Sequence, residues 1–211
     1  MFDSPELCEN NADSCFDTEN AAPCRSNRNR HSFKCTIYAE ILPAIRSEKT
    51  DKMNGKLSFR NAERKDTPLI LEFIKELAEY EKMSDQVVAD ISTLETWIFD
   101  KQKAEVIFAL EDGKEVGFAL FFHNFSTFLG RAGIYLEDLY VKPEYRGKGY
   151  GKAILKKLAS IAVERSCGRL EWWCLDWNRP SIDFYLSLGA EPMSDWTVYR
   201  IAGDTLRKLA E

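Results

Sequence analysis

The sequence lacks several features that would assign it to a common class. It has no run of 18 or more apolar residues, which argues against a transmembrane helix. It has no long basic run, and 29 basic against 34 acidic residues give a net charge of −5, so nucleic-acid or membrane-surface binding is not expected. The start, Met1 to Glu6, is acidic and lacks the apolar core of a secretory signal. Only two histidines occur, His31 and His123, so a histidine-dependent triad is poorly supported.

Glycine is absent before Gly55, and this absence divides the chain. We predict an N-terminal extension over residues 1–52, poorly ordered, and one domain of ordinary size over residues 53–211. Four of the six cysteines lie in the extension, namely Cys8, Cys15, Cys24 and Cys35. Zinc ligands usually come in pairs two to four residues apart, and these cysteines do not. We therefore predict no metal site, and the thiols indicate a reducing, cytoplasmic compartment.

From Lys56 onward the sequence mixes strand and helix signals along one domain. Alternation over 57–60 indicates a strand, Asp66-Thr67-Pro68 is typical of a helix start, and Asp112-Gly113 predicts a hairpin turn. These signals predict an α/β or α+β fold with a mixed sheet. Strands are predicted over 57–60, 106–110, 115–122, 132–141, 170–177 and 197–201. Helices are predicted over 69–78, 92–99, 182–188 and 205–210, with a longer one that follows the Gly147–Gly151 loop and ends at Gly168.

A glycine-rich loop separates the strand that ends at Val141 from this longer helix. The loop residues are Arg146, Gly147, Lys148, Gly149, Tyr150 and Gly151. Backbone N–H groups at a helix N-terminus bind anions, and glycines allow close approach, so a pyrophosphate-bearing cofactor is the first interpretation. The spacing fits neither a Walker loop nor the dinucleotide-binding pattern. A tight turn that needs a positive φ explains the glycines equally well.

The surroundings of the loop favour the first interpretation. Arg146-x-x-Gly149-x-Gly151 resembles the R/Q-x-x-G-x-G/A signature of the GNAT acetyltransferases, whose loop binds the pyrophosphate of acetyl-CoA. With the segments 135–141 and 176–185, residues 53–211 are similar to the diamine acetyltransferase branch, which includes spermidine/spermine and thialysine N-acetyltransferases. The resemblance implies a mostly antiparallel central sheet flanked by helices, acetyl-CoA as co-substrate, and a homodimer.

The resemblance also implies roles for individual residues near the cofactor. Besides the loop, the strand backbone at Leu139 and Val141 would bind the pantetheine amides, and Asn178 would hydrogen-bond the cofactor. Tyr185 matches the family tyrosine that protonates the departing thiolate, and Glu137 matches the glutamate implicated as a base through water. The sequence alone leaves other interpretations open: Asn178 as a helix cap, Tyr185 as a core aromatic and Glu137 in a structural ion pair.

The acceptor end of the site is implied by four residues. Tyr80, Glu81, Glu137 and Asp138 match family positions that contact the amine, although Glu81 fits a solvated helix charge equally well. The segment 126–128 reads Ser-Thr-Phe, where spermidine/spermine enzymes have Asp-Pro-Trp. Ser-Thr occurs in the thialysine-like relatives, so a thialysine-like acceptor is favoured over a long polycation.

The predicted function is N-acetyl transfer from acetyl-CoA to a primary amine of a small diamine, polyamine or thialysine/lysine-like substrate. The alternatives are a non-catalytic acyl-CoA-binding or regulatory module and a GNAT enzyme that acts on a protein amine. Direct attack on the thioester is favoured over an acyl-cysteine intermediate, because no histidine lies beside Cys174 in the sequence to activate it.

Overall fold

A computed structural model of the protein describes residues 56–211, so the predicted extension over 1–52 and its cysteines lie outside the described residues. The strands are β1 Leu57–Asn61, β2 Glu105–Glu111, β3 Lys114–Ser126, β4 Arg131–Val141 and β5 Leu170–Trp172. The helices are α1 Thr67–Tyr80, α2 Ile91–Leu94 with a π-helical continuation over Glu95–Asp100, α3 Tyr150–Glu164, α4 Arg179–Ser187 and α5 Gly203–Leu209. Short 3-10 turns cover Arg64–Asp66, Ser84–Gln86 and Pro143–Tyr145. No helix within 56–211 is both long and apolar enough to cross a bilayer.

The five strands form one sheet in the order β1-β2-β3-β4-β5. The first four pair antiparallel, and β5 pairs parallel with β4. This confirms the predicted mixed, mostly antiparallel sheet with flanking helices. The predicted hairpin is also present, because Asp112 and Gly113 both take positive φ between β2 and β3.

A β-bulge interrupts β4 in the middle of the sheet. Leu120 on β3 faces Asp138, whereas the next residue, Phe121, faces Leu136. Glu137 is therefore the extra residue, which a bulge leaves unpaired while it bends the strand. The extra residue shifts the alternation of side chains between the two faces of the sheet by one position. Side chains on either side of the bulge therefore point to other faces than they would in a regular strand.

The sheet carries an apolar core on each face. On one face α3 packs through Ile154 and Leu158 against β3 and β4. On the other face α1 packs through Ile70 and Phe73, and the Phe73 ring stacks on Phe118 with 5.1 Å between centroids. Truncating a buried phenylalanine such as Phe73 to alanine typically costs about 3–5 kcal/mol, so these contacts hold α1 firmly on the sheet.

Two predicted boundaries and one predicted strand are wrong. The strand predicted over 170–177 ends at Trp172, because its pairing with β4 stops just before the bulged Glu137. Residues 197–201 form no strand, since no other strand of the described chain lies beside them to complete a ladder. Helix α3 ends at Glu164 rather than Gly168, because Ser166 takes a left-handed φ of 56° and stops it.

Candidate active site

The centre of the candidate site is the half of β4 that follows the bulge. Strand β5 pairs only with Ile134–Leu136, so the backbone from Glu137 to Val141 has no strand on that side within the described residues. This stretch includes Leu139 and Val141, the two positions predicted to bind pantetheine. Backbone N–H and C=O groups along such an edge can pair with an extended ligand as a strand would.

The glycine loop leads from the end of β4 into α3. Gly149 is the residue before the first turn of α3, and its φ of 84° lies in the left-handed region. The carbonyl oxygen of Gly149 accepts a hydrogen bond from the Ala153 N–H, which is the first bond of the helix. The N–H groups before Ala153 therefore have no acceptor within the helix and are available to a ligand. A Cβ placed on Gly147 or Gly149 would meet no atom within 4 Å, so the loop faces open space. This arrangement fits an anionic group such as a pyrophosphate.

Two basic residues of the loop are held by acidic or carbonyl oxygens. Arg146 Nε donates to the Val141 carbonyl oxygen at 2.9 Å. Lys148 Nζ pairs with Glu111 Oε1 at 3.2 Å, and Glu111 also accepts from the Tyr150 hydroxyl. The Tyr150 side chain is buried in the α3 core, and burial followed by the Glu111 bond raises its pKa to about 12. Tyr150 therefore offers the loop its backbone N–H, not its side chain.

Tyr80 connects the end of α1 to both predicted parts of the cofactor site. Its hydroxyl donates to Asn178 Oδ1 at 3.1 Å, and the Arg146 guanidinium lies over its ring, 4.8 Å from the centroid. Asn178 is buried and also caps α4 by accepting from the Ser181 N–H at 3.4 Å. The cap interpretation of Asn178 is thus satisfied by its oxygen, which leaves its amide nitrogen available for a ligand.

Three acidic side chains gather where α1 ends beside the bulge. Burial raises the pKa of Asp138 to about 7, and the nearby charges of Glu137 and Glu81 add to this effect. Burial also raises the pKa of Glu81. Glu137, at the bulge, is exposed. Asp138 and Glu81 both resist ionisation, and a nearby ammonium group would favour the charged form of each. The two carboxyl groups therefore form a site suited to bind a cation.

Tyr185 lies on α4, next to the same acidic group. Its ring meets Trp172 edge to face at 5.0 Å and Phe184 at 5.4 Å, so the core-aromatic interpretation is partly correct. Burial, then the neighbouring Cys174, Glu81 and Tyr80, raises the pKa of Tyr185 to about 12. No hydrogen bond from its hydroxyl is seen among the described residues. The phenol therefore stays protonated near neutral pH.

Sequence reasoning missed two neighbours of the site, Glu111 and Trp172. Glu111 holds Lys148 and Tyr150 from a distant strand, and no local signal marks it. Cys174, which the sequence analysis had weighed as a nucleophile, lies beyond β5, and burial, Glu81 and Asp176 raise its pKa, so it is a poor nucleophile. Trp172 contacts Tyr185, and the alternating apolar pattern of 170–172 was the available sign. Within residues 56–211, no cluster of histidine, cysteine and carboxylate side chains is suited to hold a metal ion.

Comparison with known proteins gives a consistent result. The sequence profile of the Acetyltransferase (GNAT) family matches residues 70–190. The chain is 41% identical to the thialysine N-epsilon-acetyltransferase of Bos taurus over 163 residues, which are 72% of this chain and 95% of that protein. It is also 41% identical to an L-ornithine N5-acetyltransferase of Arabidopsis thaliana over 100 residues, 47% of this chain and 44% of that protein. An integron cassette protein of V. cholerae has a similar structure, with a TM-score of 0.63 and 29% identity, over 74% of this chain and 98% of that one. The chain therefore belongs to the GNAT acetyltransferase family and is an acetyl-transferring enzyme.

Proposed function

We propose that the protein transfers the acetyl group of acetyl-CoA to the terminal primary amine of a thialysine-like or diamine substrate. The observation that carries this proposal is the placement of Asp138, Glu81 and Tyr185 together at the open edge of β4. An acidic pocket that can bind an ammonium group, beside a protonated phenol that can donate to a thiolate, suits the transfer of an acyl group to an amine. The relatives named for thialysine and ornithine support the acceptor class.

Acetyl-CoA would lie along the edge of β4, from the bulge to the glycine loop. The backbone at Leu139 and Val141 would pair with the pantetheine amides, and the first-turn N–H groups of α3 would bind the pyrophosphate. Arg146 would add positive charge at the loop, and Lys148 would do so to the extent that its ion pair with Glu111 leaves its charge uncompensated. The amide nitrogen of Asn178 would donate to the cofactor while its oxygen keeps the bond to Tyr80. These roles agree with the assignments that the resemblance implies.

The amine enters as an ammonium ion, since free alkylamines have pKa values near 10. Asp138 and Glu81 would bind this cation, and its charge would in turn ionise Asp138. The amine must then lose a proton before it attacks the thioester carbonyl carbon. Glu137 is exposed at the bulge and would accept that proton through water, which keeps the proton away from the buried pair.

Collapse of the tetrahedral adduct breaks the carbon–sulfur bond and forms the amide. Tyr185 would give its phenolic proton to the departing thiolate. The resulting phenolate would recover a proton from the nitrogen of the adduct, which becomes strongly acidic as the amide forms. The pKa of about 12 keeps the phenol protonated until the thiolate develops. Protons and electrons balance, and no acyl-cysteine is needed.

The experiment that tests the proposal pairs binding with turnover. Acetyl-CoA should raise the melting temperature of the protein, and CoA release should follow when thialysine, ornithine or 1,5-diaminopentane is added. A protein that binds acetyl-CoA but acetylates none of these amines would be a binding or regulatory module instead. Acetylation of a peptide lysine but of no small amine would make it a protein acetyltransferase.

We also propose that the enzyme acts as a homodimer in the cytoplasm. The C-terminal segment after α4 exposes several large apolar side chains, and a second copy is the partner that would cover them and supply a strand for 197–201. These side chains are Met193, Trp196, Val198, Tyr199, Ile201, Leu206 and Leu209. The free thiols of Cys167 and Cys174 suit a reducing compartment. Light scattering in solution tests the dimer directly.

A further inference from the structure

Three aromatic rings form a corner on the sheet next to the acidic pocket. Phe122 and Tyr135 face each other across β3 and β4, with 5.1 Å between ring centroids. Trp173 follows β5 and meets the Tyr135 ring almost at a right angle, at 83° and 5.6 Å. The Trp173 side chain is 58% exposed. Two perpendicular aromatic faces, one of them open to solvent, are an arrangement that binds alkylammonium groups.

The corner lies on the same face of the sheet as Asp138. Asp138 faces Leu120, which packs against the α1 core, and Tyr135 faces Phe122 two residues further along β3. Side chains two residues apart on a strand point to the same face. At about 3.4 Å per residue, the corner is about 7 Å from Asp138 along the strand.

Charges of both signs lie around the corner: Glu171 pairs with Arg169 at 2.8 Å, whereas the Glu137 side chain beside the corner is exposed. Burial raises the pKa of Tyr135, and the carboxylates of Glu137 and Glu171 add to the effect, with Arg200 opposing it. Among the described residues, other aromatic rings carry a basic side chain, such as Trp177 with Lys82 and Trp97 with Lys101, whereas none is found over Tyr135 or Trp173. The corner therefore combines open aromatic faces with nearby carboxylates and no cation of its own stacked on them.

We infer that the corner of Phe122, Tyr135 and Trp173, with Glu137 beside it, is a subsite for a second ammonium group of the acceptor. This inference rests on the proposed function, because the reacting amine must lie at Asp138. Thialysine-like and diamine acceptors carry two amino groups, and the inference adds the residues that would anchor the amine that does not react and the spacing they would select.

The separation of the two sites sets the length of the preferred acceptor. An extended chain advances roughly 1.3 Å per bond, because atoms three bonds apart in the extended backbone are separated by about 3.8 Å. A span of about 7 Å therefore corresponds to about five to six bonds between the nitrogens. This is the spacing in 1,4-diaminobutane, in 1,5-diaminopentane and between the two nitrogens of a lysine-like amino acid. Ethylenediamine is too short to reach both sites.

The test compares 1,5-diaminopentane with 1-aminopentane, which has the same chain without the second cation. The wild-type enzyme should show a much lower KM for the diamine. Trp173→Leu should raise the diamine KM about 2- to 30-fold, the range of a cation–π contact from exposed to desolvated sites, and leave the monoamine KM unchanged. Trp173→Phe should recover part of the loss. The matched control is Trp97→Leu, which removes another half-exposed tryptophan far along the chain and should change neither KM.

The outcomes separate this inference from the proposed function. If both amines are acetylated with the same KM by the wild-type enzyme, or if Trp173→Leu impairs both equally, the subsite is wrong and the proposed function stands. If neither of these amines is acetylated, and thialysine and ornithine are not acetylated either, the proposed function fails. Calorimetry with 1,5-diaminopentane then decides the subsite alone: binding that Trp173→Leu abolishes supports it, and no binding to the wild type overturns it.

Discussion

The buried carboxyl of Asp138 should make the protein less stable at neutral pH than it would be without that charge. Its pKa in the folded state is about 7, and in an unfolded chain an aspartate has a pKa near 4. Between these two values the folded state holds a proton that the unfolded state has released. The free energy of unfolding therefore falls as pH rises from about 4 to about 7 and stays low above that.

Asp138→Asn removes this cost while it keeps the shape of the side chain. A rise of about three pKa units corresponds to about 4 kcal/mol at about 1.4 kcal/mol per unit, as an upper limit. The side chain is not fully buried, and solvent screens part of the charge, so we expect the variant to be more stable by about 1–2 kcal/mol at pH 8. The gain should disappear at pH 4.

Urea unfolding at pH 4, 6 and 8 measures this difference by linear extrapolation. The matched control is Asp183→Asn, because Asp183 is an exposed aspartate that pairs with Arg179 at 3.3 Å. Its effect should stay within about 0.5 kcal/mol at each pH. An Asp138→Asn protein that is less stable than the wild type at pH 8, or a difference that does not vary with pH, would refute the reasoning. The same variant should bind acetyl-CoA normally and show a raised amine KM.

Three further substitutions test single roles. Gly151→Ala should fold, because the added Cβ would come no closer than 3.8 Å to Phe184, but it should raise the acetyl-CoA KM and not the amine KM; an unchanged cofactor KM removes the loop from the site. Tyr185→Phe keeps the ring contacts and should lower kcat by about 10²–10⁴-fold with little change in Tm; near-normal turnover would leave Tyr185 as a core residue. Tyr80→Phe removes the bond to Asn178 and should weaken acetyl-CoA binding in calorimetry by about 3- to 10-fold without any amine present; a defect confined to the amine KM would make Tyr80 a substrate contact only.

The parts of the fold that depend on short stretches of sequence could be predicted. The hairpin at Asp112-Gly113 needs only two residues that accept positive φ between two apolar runs. The amphipathic helix α3 and the loop before it are likewise encoded by residues close together in sequence. Asn178 was predicted both as a cap and as a ligand residue, because Asn-x-Pro-Ser is a local helix start, and the cap is present.

The parts that depend on pairing between distant segments could not be predicted. The bulge at Glu137 is a property of the register between β3 and β4, which the sequence of β4 alone does not contain. The bond between Tyr80 and Asn178 joins residues 98 positions apart. The residues 197–201 have a strand-like composition, but a strand needs a partner, and the described residues of one chain do not provide it. The aromatic corner at Tyr135 and Trp173 also depends on how β4 and β5 meet.

The central claim is that the protein moves an acetyl group from acetyl-CoA to the terminal amine of a thialysine-like acceptor. Mass spectrometry of a reaction with acetyl-CoA labelled with carbon-13 in the acetyl group tests it most directly. We predict a thialysine product that carries one labelled acetyl group on the side-chain amine, formed in equal amount to the free CoA released. Free CoA without an acetylated amine, or acetylation at the same rate without the protein, would contradict the claim.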